Sequence, residues 1–223
     1  MEKCFIKDWQ TIKKEHIDTK VDHIPVTGRS FNYYLKALFP DFIDKKQVLK
    51  YIDQKKFLDV GSGINHLRKD SLLYLLIKNK NIAYGLDIEK LPKHKNYIQK
   101  SIFDTKLKNN YYDFITINNL LYFHLYKSSQ IKKALIEMHR ILKSGGEMRI
   151  FPIFYGNYYY GNKKLRNFIN KLFFVRILEP KTIPKENPIF YIDNEIVKSK
   201  SVGSGEIKLM KKLESYVVIF KKI

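Results

Sequence analysis

The residues best placed to bind a ligand form a short turn, Gly61-Ser62-Gly63, which follows the apolar run Phe57-Leu58-Asp59-Val60. This pattern is typical of a buried strand that ends in a tight turn. Glycine accepts positive φ and lets the backbone approach a ligand without interference from a Cβ. A plain strand-to-loop turn explains the motif equally well on its own, so the interpretation depends on the segments that follow.

A second apolar segment, Ile82–Ile88, contains an acid near its end, Asp87. In a Rossmann-type unit, an acid at this place accepts hydrogen bonds from the ribose hydroxyls of a nucleoside. Further strands are predicted over Tyr97–Asp104, Asp113–Asn118 and Glu147–Ile153, and a helix over Gln130–Leu142 ends at Lys143-Ser144-Gly145-Gly146. The order of strands and helices therefore predicts an α/β fold with a parallel sheet.

In this order the motifs resemble those of class I S-adenosylmethionine-dependent methyltransferases, from about Arg29 to Ile153. Asp59–Gly63 looks like the first motif of that family, Leu86–Ile88 the second and Tyr112–Ile115 the fourth, while Glu137–Glu147 is similar to the helix–Gly-Gly–strand motif. The resemblance implies a Rossmann-like, seven-stranded, mostly parallel sheet with helices on both faces. Its last strand, predicted at Ser215–Lys221, would be antiparallel.

We expect a single domain over residues 1–223, in which residues 1–50 form a helical arm or lid and residues 55–223 form the Rossmann-like core. A helix is predicted to begin after the N-cap Ser30 and to stop by Pro40. Another is predicted at Lys163–Phe174, followed by an irregular segment over residues 179–210 that holds prolines and glycines.

The resemblance also implies S-adenosylmethionine as cofactor and S-adenosylhomocysteine as product. Carried over position by position, the cofactor-binding residues would be Arg29, Asp59, Gly61, Ser62, Gly63, Asp87, Ile88, Ser101, Ile102 and Asn118. Arg29 would pair with the methionine carboxylate, or else simply cap a packing helix. Ser101 falls where the family often has an acid that contacts adenine, and Asp104 is the alternative. Asn118 would orient the amino acid part of the cofactor, or else cap its own loop.

After the turn the chain departs from the family pattern, because Asn65 replaces the third glycine. Asn tolerates the left-handed conformation better than most residues, so the turn is expected to survive. The following His66 is expected to bond to backbone, with contact to cofactor or substrate as the alternative. Asp70-Ser71 is predicted to cap a helix whose buried face holds leucines and an isoleucine, namely Leu72, Leu73, Leu76 and Ile77.

Methyl transfer from a sulfonium is an in-line displacement in which positioning supplies most of the acceleration, so a general base is optional. His124 is the first candidate for such a base and His66 the second. On the substrate side the candidates are Tyr122, Tyr155 and Tyr158, because tyrosines offer flat apolar area and a hydroxyl. No metal site is predicted, since the sequence has no His-x-x-x-His and only one cysteine.

The sequence lacks the motifs of two subclasses of methyltransferase, which are therefore set aside. The Asp/Asn-Pro-Pro-Tyr/Phe motif of adenine amino methylation is absent, since Asn118-Asn119-Leu120-Leu121 stands in its place. A cysteine nucleophile for C5-pyrimidine chemistry would have to be Cys4, which lies far from every motif.

The net charge of +20 raises the question of nucleic acid, but only 6 of the 42 basic residues are arginine. Arginine is the residue that binds phosphate and guanine in a bidentate manner, so nucleic acid is possible but not favoured. The absence of a long apolar run, of an apolar N-terminal segment and of a second cysteine predicts a cytoplasmic protein that does not cross a membrane. Nothing in the sequence indicates an oligomeric state.

Three functions therefore stay open. The favoured one is methyl transfer to a small molecule. The second is an RNA or protein methyltransferase of the same fold, and the third a non-catalytic or nicotinamide-binding Rossmann domain.

Overall fold

A computed structural model of the chain describes residues 28–118, 120, 128–151, 163–178 and 217–223. The first half contains α1 (Phe31–Ala37), α2 (Lys45–Ile52), β1 (Phe57–Val60), α3 (Leu72–Lys78), β2 (Ala83–Asp87), β3 (Tyr97–Gln99) and β4 (Tyr112–Asn118). The second half contains α4 (Ser128–Ile141), β5 (Leu142–Phe151), α5 (Lys163–Leu172), β6 (Phe173–Leu178) and β7 (Val217–Lys222).

The described strands form one seven-stranded sheet in the order β3-β2-β1-β4-β5-β7-β6. The strands from β1 to β5 pair in parallel, and β7 is antiparallel to both β5 and β6. The predicted fold, a mostly parallel Rossmann-like sheet with an antiparallel last strand, is confirmed. Strand order reverses between β1 and β4, and ligands bind at such a switch point, at the carboxyl ends of the strands.

Alternating side chains of the strands point to opposite faces of the sheet, and each face is covered by helices. Leu58 and Val60 pack with α4 and α5, whereas Phe57 and Phe114 pack with α1, α2 and α3. A register row of three polar residues lies on this second face: Asp59 pairs with Thr116, which pairs with Arg149. These three residues hold the N-terminal helices, as described below.

The predicted helix caps are confirmed. Ser30 Oγ accepts a hydrogen bond from the Tyr33 amide at 3.2 Å, and Ser71 Oγ accepts one from the Tyr74 amide at 3.0 Å. Each side chain satisfies an amide that the first helical turn leaves without a partner. Helix α1 ends at Ala37, before Pro40, as predicted.

Two predicted boundaries were wrong. The predicted helix Lys163–Phe174 ends at Leu172, and a strand that was not predicted, β6, begins at Phe173. The segment Phe-Phe-Val-Arg-Ile-Leu is rich in aromatic and β-branched residues, which is the usual composition of a strand. Strand β5 begins at Leu142, and its register against β4 shifts between Tyr112 and Phe114, so the Gly-Gly turn lies in an irregular part of the strand.

The described helices include none that is long and apolar enough to cross a membrane.

Candidate functional site

The glycine turn lies where β1 ends, at the carboxyl ends of the parallel strands, where a ligand is predicted to bind. Gly61 and Gly63 have φ of +72° and +49°, which residues with a Cβ rarely adopt. A Cβ on Gly61 would also lie 3.1 Å from Leu120 Cβ. The Gly61 and Ser62 amides donate to the Leu86 carbonyl at 2.8 and 3.2 Å, so the turn is fixed to the end of β2.

Ser62 faces the interior of the protein. It is fully buried, and a Cβ on Gly85 would come within 2.5 Å of its hydroxyl. Glycine at position 85 of β2 therefore makes room for the Ser62 side chain. Any contact of Ser62 with a ligand at this edge would be made by its backbone.

Asp87 joins the turn to β2. Its Oδ2 accepts a hydrogen bond from the Gly63 amide at 2.8 Å, and its Oδ1 accepts one from the Glu89 amide at 3.2 Å. An ionised carboxylate has about four acceptor positions, so each oxygen keeps one for a further donor. The geometry leaves Asp87 able to accept two hydroxyl hydrogen bonds while it holds the glycine turn.

Asp59 lies beneath the turn and is only 1% exposed. Both of its oxygens accept hydrogen bonds from the Tyr34 hydroxyl, at 2.8 and 2.9 Å. Thr116 Oγ1 donates to Oδ1 and Asn65 Nδ2 to Oδ2, each at 2.8 Å. Burial raises the pKa of Asp59 to about 6, although these three neutral donors act in the opposite direction. In this structure the Asp59 side chain holds the turn and α1 together.

Asn65 preserves the turn in a way that was not predicted. It is not among the described residues with positive φ, so the expected left-handed conformation was wrong. Instead its side chain donates to Asp59 and to the Tyr34 hydroxyl, the latter at 2.9 Å, and accepts from the Arg29 amide at 2.6 Å. An amide that both donates and accepts thus links three segments where the family has glycine.

His66 was predicted to bond to backbone, and the Gly63 backbone does act on the ring as a hydrogen-bond partner, which raises its pKa against the effect of burial. The side chain is 2% exposed, and neither ring nitrogen has a partner with full hydrogen-bond geometry among the described residues. Its ring stacks on Tyr97 at a centroid distance of 4.8 Å and lies 5.2 Å from that of His94. Burial lowers the pKa of His66, and His94 lowers it further. The side chain packs the loop after β1 against the edge of the sheet.

The segment that follows β3 does not present an acid to the predicted ligand-binding end of the sheet. Ser101 Oγ accepts from the Phe103 amide at 3.2 Å, and Ile102 is 5% exposed. Asp104 pairs with Lys106 at 3.1 Å, and its side chain is 56% exposed. By contrast Ile88, next to Asp87, leaves 66% of its surface exposed, which provides an apolar surface beside the glycine turn.

Asn118 ends β4 and is 6% exposed, and its buried Oδ1 has no hydrogen-bond partner among the described residues. A buried carbonyl oxygen of this kind costs free energy unless a donor reaches it. Arg29 lies at the other side of the turn, with its guanidinium 5.5 Å from the centre of the Tyr33 ring. Four predicted residues, His124, Tyr122, Tyr155 and Tyr158, lie outside the described residues.

Sequence reasoning did not predict the hydrogen bonds that Tyr34 and Thr116 make to Asp59. Thr116 was accessible to it, because the alternation along β4 places this residue on the face that carries Asp59. Tyr34 carried no such signal, since 25 residues separate it from Asp59. Within the described residues no group of three or more potential metal ligands occurs.

Residues 58–150 match the family model described as a methyltransferase domain. Among solved structures, the chain is similar to an S-adenosylmethionine-dependent methyltransferase from Archaeoglobus fulgidus, with 15% identity over 80% of this chain and 92% of that one and a TM-score of 0.45. It is also similar to the N-methyltransferase NodS from Bradyrhizobium japonicum in complex with S-adenosylhomocysteine, with 12% identity over 78% and 81% of the chains and a TM-score of 0.44.

A third similar structure is the complex between the Haloferax volcanii Trm112 methyltransferase activator and the putative methyltransferase. It matches with 14% identity over 86% of this chain and 90% of that one, and with a TM-score of 0.49. No curated protein sequence matches significantly.

Proposed function

We propose that this chain, whose residues 58–150 match the model of a methyltransferase domain, transfers a methyl group from S-adenosylmethionine to a small-molecule acceptor. The observation that carries the proposal is the junction of the glycine turn with Asp87. Two glycines with positive φ bring the backbone to the edge of the sheet, and the Gly63 amide holds the Asp87 carboxylate there at 2.8 Å.

The described residues fit this cofactor. Asp87 keeps acceptor positions for the two ribose hydroxyls, and the exposed Ile88 side chain offers an apolar surface to an adenine ring. Ser101 and Ile102 would border the same ring. Within the part of the chain that the structure describes, no donor reaches the buried Asn118 oxygen, and the ammonium group of the methionine part would supply one. Arg29 would face the carboxylate of that part.

Asp59 and Asn65 act as positioning residues in this proposal. Their side chains bond to each other and to Tyr34, so α1 and the glycine turn are held together by hydrogen bonds. Their contribution to binding is to keep the turn in the conformation that accepts the ligand, since preorganisation reduces the entropy lost on binding.

When bound, the cofactor supplies an electrophilic methyl group on a sulfonium. The chain has to bring the acceptor atom in line with that group and to exclude water, and proximity of this kind lowers a barrier by up to about 7–11 kcal/mol. The assignment of His124 as a base and of Tyr122, Tyr155 and Tyr158 to the acceptor side stays a prediction from sequence.

The ion pairs that the arginines form favour a small acceptor over RNA. Arg149 is 2% exposed and pairs with Asp41, Arg140 pairs with Glu137, and Arg68 pairs with Asp70, each at 2.6 Å. Three of the six arginines are thus engaged in ion pairs with acids of the chain itself and offer less to a phosphate backbone, although only Arg149 is buried. An RNA or protein acceptor is the second candidate, because lysine is abundant.

The first test is calorimetric titration with S-adenosylmethionine and S-adenosylhomocysteine, with NADH as a control. Binding of either sulfur compound is expected, and NADH is not expected to bind. Binding of NADH alone would overturn the proposal in favour of a nicotinamide-binding domain. Failure of all three to bind would point to a non-catalytic domain.

The residue-level test is Asp87→Ala. Loss of the ribose contacts is expected to weaken binding of S-adenosylhomocysteine by about 10-fold to 100-fold, or roughly 1.5–3 kcal/mol. Asp53→Ala is the matched control, because it removes an exposed acid that follows α2, at the end of β1 away from the glycine turn, and should leave the affinity unchanged. Equal affinities of the wild type and Asp87→Ala would remove Asp87 from the site.

The acceptor class is tested with methyl-labelled S-adenosylmethionine and three fractions of a cell extract: small molecules, RNA and protein. Label in the small-molecule fraction supports the proposal. Label that enters only RNA or protein would establish the second candidate instead.

A further inference from the structure

A largely open pocket lies at the β3 edge of the sheet, beside the loop that carries the glycine turn. Its volume is about 440 Å³, enough for a small organic molecule. It is lined by Leu91, Lys93, His94, Lys95, Tyr97 and Gln99. The pocket is formed by the segment between β2 and β3 together with one face of β3.

The charged side chains that line this pocket are basic. Two lysines and a histidine line it, and no acid does. Among the described residues Lys93 and Lys95 form no ion pair, whereas Lys106 and Lys143 pair with acids at 3.1 and 2.6 Å. Unneutralised lysines around a concave surface favour an anion.

The His94 ring is oriented so that its Nε2–H group can act as a hydrogen-bond donor. Its Nδ1 accepts a hydrogen bond from the Asn96 amide at 3.2 Å, so in the neutral ring the proton lies on Nε2. Nε2–H has no hydrogen-bond partner among the described residues and can donate to an oxygen anion. Tyr97 and Leu91 add apolar surface for the body of a ligand.

The pocket also touches the loop that carries the glycine turn. The ring of Tyr97 stacks on that of His66, which is buried. Two acids lie nearby, since Asp87 and Glu89 help to raise the pKa of Tyr97, after burial. The Asp87 oxygens, however, accept from the Gly63 and Glu89 amides, on the side of the glycine turn.

The cofactor does not account for this charge, because adenosine is neutral and the only carboxylate of S-adenosylmethionine belongs to its methionine part. We propose that the pocket at the β3 edge is a second site, which binds a small organic anion through Lys93, Lys95 and His94. The anionic group is a phosphate or a carboxylate, and its apolar part lies against Tyr97 and Leu91. The inference holds whether or not the methyl acceptor proposed above is correct.

The test is calorimetric titration with pyrophosphate and with citrate, each with and without S-adenosylhomocysteine. Saturable binding of at least one anion to the wild type is expected. Preference for pyrophosphate identifies a phosphate ligand, and preference for citrate identifies a carboxylate. Lys93→Ala combined with Lys95→Ala is expected to weaken binding at least about 10-fold, because two charge-assisted contacts are lost.

The matched control is Lys46→Ala combined with Lys50→Ala, which removes two exposed charges from α2 and should change the affinity less than about 2-fold. Equal weakening in the two double variants would mean binding to net charge and would overturn the site. So would absence of saturable binding, or displacement of the anion by S-adenosylhomocysteine, which would place it in the cofactor site.

Discussion

Asp59 and Arg149, at the two ends of the polar row on the sheet, are stabilised in different ways. Each is a buried ionisable residue, with exposures of 1% and 2%, on the face covered by the N-terminal helices. Asp59 holds α1 through the Tyr34 hydroxyl. Arg149 holds the residues after α1, through the Leu38 carbonyl at 2.9 Å and Asp41 at 2.6 Å.

The difference is the charge of the partners. Asp59 has neutral donors only, and burial raises its pKa to about 6. Burial acts to lower the pKa of Arg149, but the acids Asp41 and Glu147 outweigh it, so the pKa is raised and the charged form is favoured. Neutral hydrogen bonds offset only part of the loss of water around a charge, whereas an opposite charge offsets more.

The largest effect is expected for Arg149→Ala. The change leaves Asp41 and Glu147 without their cation and removes the guanidinium from beside four aromatic rings, those of Phe39, Phe42, Tyr51 and Phe114. We expect the free energy of unfolding to fall by about 4 kcal/mol in urea denaturation. A cycle with Asp41→Asn should show positive coupling, and additive losses would mean that the ion pair is not the source.

The second effect is the pH dependence that Asp59 contributes. Folding raises its pKa from 3.8 to about 6, so the folded state holds this proton more tightly than the unfolded state. The stabilisation is fully present below about pH 4 and is lost as the pH rises through about 6. The unfolding free energy of the wild type minus that of Asp59→Asn should fall by about 3 kcal/mol between about pH 4 and pH 7.

The constant cost of placing an amide at position 59 cancels in that difference, because only its change with pH is compared. A difference that stays flat across this range would mean that the neutral donors offset burial as well as Asp41 and Glu147 do for Arg149. The contrast between the two ends would then be lost.

The third largest effect on the free energy of unfolding is expected for Asn65→Ala. It removes a donor from Asp59 and an acceptor from the Arg29 amide. We expect a loss of about 2 kcal/mol of unfolding free energy, measured by urea denaturation at neutral pH. The loss should shrink at about pH 4, where a protonated Asp59 needs fewer donors. A loss of equal size at both pH values would assign it to the Arg29 contact instead.

The smallest effect is expected at the exposed pair of Asp104 and Lys106, whose side chains are 56% and 72% exposed. Lys106→Ala should change the unfolding free energy by less than about 0.5 kcal/mol, because water and salt screen exposed charges. Unfolding at low and high salt checks this. A loss comparable to that of Arg149→Ala would show that burial is not what separates the two classes of ion pair.

Much of the fold was predictable because its signals are local. The strand ends at Val60 and Asp87, the caps at Ser30 and Ser71, and the antiparallel last strand were all found at or near their predicted places. Strand β6 was missed although Phe173–Leu178 carries a strand composition, because the helix before it was extended too far. The roles of the site residues stay predictions, which binding measurements on the variants test.

By itself the sequence determined the order of most strands and helices, the glycine turn and the acid that faces it, because each depends on neighbouring residues and on backbone conformation. Only the tertiary structure decided which partners the buried polar groups have. Asp59 meets Tyr34 and Thr116, Arg149 meets Asp41, and these contacts join residues that lie 25 to 108 positions apart. His66 likewise meets Tyr97 only when the loop after β1 folds over the edge of the sheet. Such pairings follow from the packing of whole elements, which no local pattern encodes.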